Sequence, residues 1–214
     1  MKKSIKQPAQ KTPGTLFIIA APSGGGKTSL VKRLLQEDPQ LAWSISHTTR
    51  FMRPQEQNGV DYFFISTERF ADKIAQQDFL EHAMVFGYHY GTSSEQVLQA
   101  LQTGIDVILE IDWQGAQQVR QLFDNVVSIF ILPPNYDILA ERLASRGQDS
   151  ESIIQNRMKK SRDEMSHCHE FDFIVFNEIF ETCLRDMQSI IASHRLSYSQ
   201  QCWRNADKLL KLFS

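Results

Sequence analysis

The stretch Ala20-Ala21-Pro22-Ser23-Gly24-Gly25-Gly26-Lys27-Thr28-Ser29 constrains this chain more than any other. It follows the apolar run Leu16-Phe17-Ile18-Ile19 and precedes Leu30, Val31, Leu34 and Leu35, which recur at helical spacing. Strand, glycine loop and helix in that order turn successive backbone N–H groups inward at a helix N-terminus, where oriented dipoles surround a phosphate chain. Lys27 adds a point charge for the outer phosphates, and the Thr28 hydroxyl is placed to ligate Mg²⁺. The pattern reads as a nucleoside triphosphate site, although Ala21 stands where the motif usually has its first glycine.

A chain of 214 residues is long enough for one α/β core with a small insertion. With 23 basic against 25 acidic residues the net charge is −2, so no global field favours nucleic acid or anionic lipid, and any anion site must be local. Cys168, Cys183 and Cys202 are odd in number and lack C-x-x-C spacing, and His167-Cys168-His169 lacks a second ligand pair at zinc spacing. Residues 1–14 carry Lys2, Lys3, Lys6 and Lys11 with two prolines and are expected to be a mobile basic tail. No apolar stretch follows those charges as in a signal peptide, and no window reaches the length of a membrane span. A cytoplasmic protein is expected.

Beyond the loop helix, Trp43 to Ser46 reads as a strand, Tyr62-Phe63-Phe64-Ile65 as another, and Thr67 as the cap of a helix to about Gln77. Phe79 to Phe86 is extended, and Gly87-Tyr88-His89-Tyr90-Gly91 reads as a turn. Short strands at close spacing mark a mixed insertion over 46–92, between core segments 15–45 and 93–214. Ser93 or Ser94 caps the next helix. The run Ile105 to Asp112 then ends in carboxylates, as at the C-terminal end of a buried parallel strand. Val126–Leu132 and Phe171–Val175 are further strands. Between them Arg142, Arg146 and Arg157 flank Gly147 on two helices, and a long amphipathic helix closes the chain.

Together with the loop, Arg50-x-x-Arg53, Ser46-His47-Thr48-Thr49-Arg50, Tyr88-His89-Tyr90-Gly91-Thr92-Ser93 and Ile111-Asp112-Trp113-Gln114-Gly115 closely resemble guanylate kinases of bacterial type over about residues 15–200. The resemblance implies an α/β P-loop kinase with a parallel sheet, a GMP-binding insertion and a helical lid over about 137–168. It implies transfer from ATP, with Mg²⁺, to GMP or dGMP. By the same resemblance Ser23, Gly24, Gly25, Gly26, Lys27, Thr28 and Ser29 hold ATP, with Arg146 and with Asn177 near the adenine. Arg50, Arg53, Tyr62 and Tyr90 hold the GMP phosphate, and Ser46, Glu81, Thr92 and Asp112 face the guanine. Lys27, Arg50, Arg142, Arg146 and Arg157 are the catalytic set, and Thr28 the metal contact.

The chemistry of these side chains agrees with those roles. Arginine offers a permanently charged fork to a phosphate, and a carboxylate accepts from guanine N1–H and the 2-amino group, adjacent donors that adenine cannot present. The chain departs from the family pattern at Met52, where proline is usual, at Gln55 for glycine and at Glu110 for aspartate. Thr92 replaces a frequent serine but keeps the hydroxyl. Two other readings use parts of this pattern. A non-catalytic scaffold binding phosphopeptides would not need Gly26-Lys27-Thr28 or the lid arginines, and a kinase of a phosphorylated sugar would not need Glu81. The expected partners are small nucleotides, without nucleic acid or membrane, and the sequence leaves a homo-oligomer open.

Overall fold

The apolar run after Thr15 is strand β1 (Leu16–Ala20), buried along its whole length in the computed structural model, which describes residues 14–123, 125–144 and 151–213. Helix α1 (Lys27–Glu37) follows the glycine loop, and β2 (Leu41–Trp43) returns to the sheet. Next come β3 (His47–Thr48), β4 (Phe63–Phe64), α2 (Thr67–Ala75), β5 (Phe79–Val85) and β6 (Tyr88–Ser93). The rhythm then becomes α3 (Ser94–Gln102), β7 (Asp106–Glu110), α4 (Trp113–Leu122), β8 (Val126–Leu132), α5 (Tyr136–Ala144) and α6 (Glu151–Ser166). A short 3₁₀ turn at His167–Glu170 leads to β9 (Phe173–Phe176), and α7 (Phe180–Arg195), α8 (Tyr198–Arg204) and α9 (Ala206–Phe213) complete the described chain. Most of the tail expected over 1–14, together with Arg146, Gly147 and Asp149-Ser150, lies outside the described residues.

Among the described residues the strands form two sheets. The larger is parallel throughout, in the order β2-β7-β1-β8-β9. Because alternate side chains of a strand point to opposite faces, β1 feeds two cores. Phe17 and Ile19 pack with Leu30, Val31 and Leu34 of α1 and with Leu184, Met187 and Ile191 of α7. Leu16 and Ile18 pack on the other face with Val97 and Leu101 of α3 and Ala116 and Val119 of α4. Burial on both faces explains why β1 and β7 read as continuous apolar runs.

The smaller sheet, order β4-β3-β6-β5, is mixed: β3 pairs parallel with β4 and antiparallel with β6, and β6 pairs antiparallel with β5. Four local readings of the sequence differ from the structure. The strand read over Trp43 to Ser46 ends at Trp43 as β2, and Ser44 to Ser46 form no strand before β3. The turn lies at Phe86–Gly87, since Val85 pairs with Tyr88, and Tyr88 to Ser93 is strand. Ser66 rather than Thr67 caps α2, its hydroxyl accepting from Arg69 N at 3.3 Å. The chain after β9 is three successive helices, because Leu196 and Ser197 interrupt the long helical pattern and Ser197 caps α8.

At the N-terminal end of β7 the fully buried Asp106 binds three elements. It accepts from Thr15 N at 2.7 Å, from Arg195 Nε at 2.7 Å and from Arg204 Nη2 at 3.3 Å, while Arg195 also meets Asp38. Removing the carboxylate leaves two partly buried cations without it, a loss that typically costs about 3–5 kcal/mol. Asp106→Ala is therefore expected to lower unfolding free energy by about that amount, read from urea denaturation. A change below about 1 kcal/mol would show that solvent replaces the pair.

Candidate active site

Gly26 heads α1 with φ +88°, in the left-handed region that glycine occupies without a Cβ penalty. A side chain there would also meet Asn177 Nδ2 at 2.3 Å. That amide nitrogen donates to Gly25 O at 2.9 Å, and Arg142 Nη2 donates to Asn177 O at 3.0 Å. Leu139 and Leu143 of α5 close over Gly24. The chain leaving β9 and the start of the expected lid thus brace the phosphate loop. Asn177 was expected near the adenine; the structure places it buried beneath the loop with its amide nitrogen engaged.

The last residue of β7 and the one that follows it reach the loop from the neighbouring strand. Lys27 Nζ donates to Ile111 O at 3.1 Å, and the Thr28 hydroxyl donates to Glu110 Oε1 at 2.5 Å. Burial pushes the Glu110 carboxyl up, with the Lys27 charge opposing it. Glu110 Oε2 is buried with no hydrogen-bond partner among the described residues. A hydroxyl beside an orphaned hard carboxylate oxygen is a donor set that suits Mg²⁺, so the residues present fit that ion. Ser29 lies exposed in the first turn of α1.

Asp112 continues the same segment as the cap of α4, with Oδ1 accepting from Gly115 N at 2.9 Å. Against that turn sits Glu81 of β5, 3% exposed, its Oε1 accepting from the Thr92 hydroxyl at 2.5 Å. Gly115 makes room for it: a Cβ there would stand 2.4 Å from Glu81 Oε2. Desolvation first, and the nearby Asp112 charge, push the Glu81 carboxyl up to about 7. Ser46 is buried beside this pair's sheet, pairing through its carbonyl with Phe63 N at 2.9 Å.

Arg50 is held by Glu56 in a fork, Nη1 to Oε2 at 3.0 Å and Nη2 to Oε1 at 2.7 Å. Glu56 also accepts from Arg53 N at 2.8 Å, while the Arg53 guanidinium stays half-exposed. The Arg50 guanidinium lies 5.4 Å from the Tyr62 ring centroid, and Tyr62 meets Tyr90 edge-on at 5.9 Å. Burial, with the Glu110 charge adding to it, pushes the Tyr62 phenol up, so it remains a donor at neutral pH.

The structure thus gathers Lys27, Thr28, Asn177 and Arg142 around the loop. Glu81, Thr92 and Asp112 form one cluster of their own, and Arg50, Arg53, Tyr62 and Tyr90 another. Arg157 lies on α6, and Arg146 is outside the described residues. Three participants carry weaker sequence signals. Glu56 is visible only as an acid three residues after Arg53, and Gly115 only as part of the Asp-Trp-Gln-Gly run. Glu164 of α6 has no local signal, since its Oε2 accepts at 3.1 Å from Ser23 N, far back in the chain. Burial pushes the Glu164 carboxyl up as well.

A parallel sheet with a glycine loop leaving β1 and a carboxylate ending the adjacent strand defines a P-loop nucleotide-binding fold. The guanylate kinase family profile matches residues 13–194. A guanylate kinase of Hahella chejuensis is 55% identical over 188 residues, covering 88% of this chain and 90% of its own. One from Legionella pneumophila (strain Lens) is 49% identical over 94% of this chain and 96% of its own. The crystal structure of guanylate kinase from Anaplasma phagocytophilum superposes with a TM-score of 0.73 at 30% identity, covering 89% of this chain and 91% of that one. The chain belongs to the guanylate kinase family. Among the described residues no helix is long and apolar enough to cross a membrane.

Glu81 gives a pH dependence with a defined sign. Its ordinary value is 4.5 and its folded value about 7, so between these the unfolded chain sheds a proton that the folded chain keeps. This contribution is full below pH 4.5 and is lost as pH rises through 7. Wild type is therefore expected to lose stability relative to Glu81→Gln over that interval, measured by urea melts at a series of pH values. A constant difference would show an unshifted carboxyl.

Proposed function

We propose that the two halves of this site carry ATP-dependent phosphorylation of GMP to GDP, with dGMP as an alternative acceptor. The segment Glu110-Ile111-Asp112 carries the reading: it touches Thr28 and Lys27 on the triphosphate side and stands beside Glu81 on the other. Residues 46–92 form the acceptor-binding unit, 15–45 and 93–214 the core, and 137–168 the lid.

On the donor side the backbone N–H groups from Ser23 to Ser29 cradle the triphosphate, and Lys27 follows charge between its outer oxygens. Asn177 and Arg142 keep that loop in shape. Bound with ATP, Mg²⁺ neutralises charge on the phosphate oxygens, and Thr28 and Glu110 are the residues that would hold it.

On the acceptor side Arg50, Arg53, Tyr62 and Tyr90 fix the GMP phosphate, with Glu56 orienting the Arg50 fork. Glu81, ionised, accepts from guanine N1–H and the 2-amino group, with Thr92, Ser46 and Asp112 around it. The attacking phosphate oxygen is already ionised near neutral pH, so no strong general base is required. Arg142, Arg146 and Arg157 stabilise charge developing on the equatorial oxygens. The partners in this reading are nucleotides alone and the compartment is the cytoplasm, a reading supported by three free cysteines.

Lys27→Ala is expected to keep its far-UV spectrum and lose most turnover in a coupled assay with GMP. Full activity would remove the loop from the mechanism. Glu81→Gln turns a donor toward guanine's donors, and kcat/KM for GMP is expected to fall by roughly 10⁴. Since guanine needs the ionised carboxylate, GMP binding at pH 6.5 is expected to release a proton. Calorimetry in buffers of different ionisation enthalpy reads this release, and its absence in wild type would place guanine elsewhere.

A further inference from the structure

Hairpin β5–β6 turns through only Phe86 and Gly87, at φ +52° and +81°. Positive φ at both central residues is the geometry of a type I′ turn, for which Asn-Gly is favoured and a bulky first residue is an outlier. The chain accepts a costly conformation to place a phenyl ring at the hairpin tip. That ring is half-buried there, although Gly87 beside it is exposed.

What covers the ring is the expected lid. Lys160 Nζ stands 4.6 Å from the ring centroid and the Arg157 guanidinium carbon 5.8 Å. Both distances suit attraction of a cation to an aromatic face. Arg157, Lys160 and Glu164 follow one another at i, i+3 and i+7, which puts them on one face of α6. One turn beyond Lys160, Glu164 meets Ser23 N in the phosphate loop. A single helical face therefore touches the acceptor-side hairpin at one end and the triphosphate cradle at the other.

We propose that Phe86 is a positioning residue for phosphoryl transfer: its ring docks the cationic face of α6 across the cleft and sets the place of Arg157. This rests on the reading of Arg157 as a lid cation. The ring touches no reacting atom. Its strained turn makes the docking rigid, because the two-residue loop fixes where the tip points.

The hairpin supplies its own control, since Asn is a better residue than Phe for this turn. Phe86→Asn, Phe86→Leu, Phe86→Tyr, Arg157→Ala and the double variant Phe86→Asn/Arg157→Ala are compared by kcat, KM for GMP and Tm. Two cation–ring contacts of ordinary strength correspond to about a 5- to 30-fold loss of kcat in Phe86→Asn. Tm is expected to be equal or higher and KM for GMP to stay within about twofold. Phe86→Tyr keeps the ring and is expected to keep kcat. Phe86→Leu keeps bulk without the ring and is expected to fall with Phe86→Asn. The double variant is expected to match Arg157→Ala.

Wild-type kcat in Phe86→Asn, with a large loss in Arg157→Ala, would overturn the role of Phe86 and leave that of Arg157 standing. Wild-type kcat in Arg157→Ala would instead remove the lid-cation reading and the proposal with it. A double variant that loses the full Phe86 factor beyond Arg157→Ala would show that the ring does not act through Arg157.

Discussion

The parallel pairing of β1 with β7 is the contact on which the site depends. Ile19 lies opposite Glu110 in that register, so the glycine loop leaves one strand just where the carboxylate segment leaves its neighbour. Two backbones with apolar side chains buried on both faces cannot slip relative to each other without exposing a core. The spacing from Thr28 to Glu110, and from Lys27 to the Ile111 carbonyl, is thereby set by hydrophobic packing rather than by the polar groups themselves. Asp106 strengthens the same strand from its other end. One end of β7 holds the structure together, and the opposite end, where parallel α/β sheets bind ligands, carries the chemistry.

Several acids are held in the cleft against their ordinary tendency to be solvated. Burial pushes Glu81, Glu110 and Glu164 up, and hydrogen bonds from Thr92, Thr28 and Ser23 N respectively offset part of the cost. Arg50 and Glu56 solve the same problem as a forked ion pair beneath aromatic rings. In the proposed reaction the Arg50 fork, fixed in this way, would need little reorganisation when a nucleotide arrives, which is the electrostatic basis of a preorganised site. Gly115 shows how tightly the backbone is fitted around Glu81, because a single added carbon would collide with it.

The sequence made the loop, the parallel sheet and most of the charged side chains legible because those signals are local. A strand followed by glycines and a helix reads correctly within a dozen residues, and the motif around Asp112 is equally compact. The turn was misplaced for a physical reason. Gly91 reads as a turn residue, yet it pairs within β6 and is glycine there because a Cβ would press on the Phe70 and Phe79 rings. Phe86, which does turn, is a residue that left-handed φ ordinarily excludes. Asn177 to Gly25 and Glu164 to Ser23 join residues separated by 152 and 141 positions, and nothing local announces either contact. The resemblance to a family located Asn177, but its bracing of the loop follows only from the packing of β9 beside β8.

In the proposed reaction α6 is a lid, and its character suits the need to release product. Helix α7 is fixed to the sheet by Cys183, Leu184, Met187 and Ile191, all buried, and such apolar docking is non-directional and indifferent to nucleotide charge. On α6, where Met165 packs partly buried against the core, Arg157 and Lys160 meet a ring face and Glu164 a backbone N–H. In the proposed lid role those contacts would answer to phosphate: a triphosphate in the cradle would compete with Glu164 for Ser23 N while attracting Arg157 and Lys160. A helix held in this way changes its balance of forces when nucleotide charge enters or leaves, whereas an apolar lid would stay closed over the product.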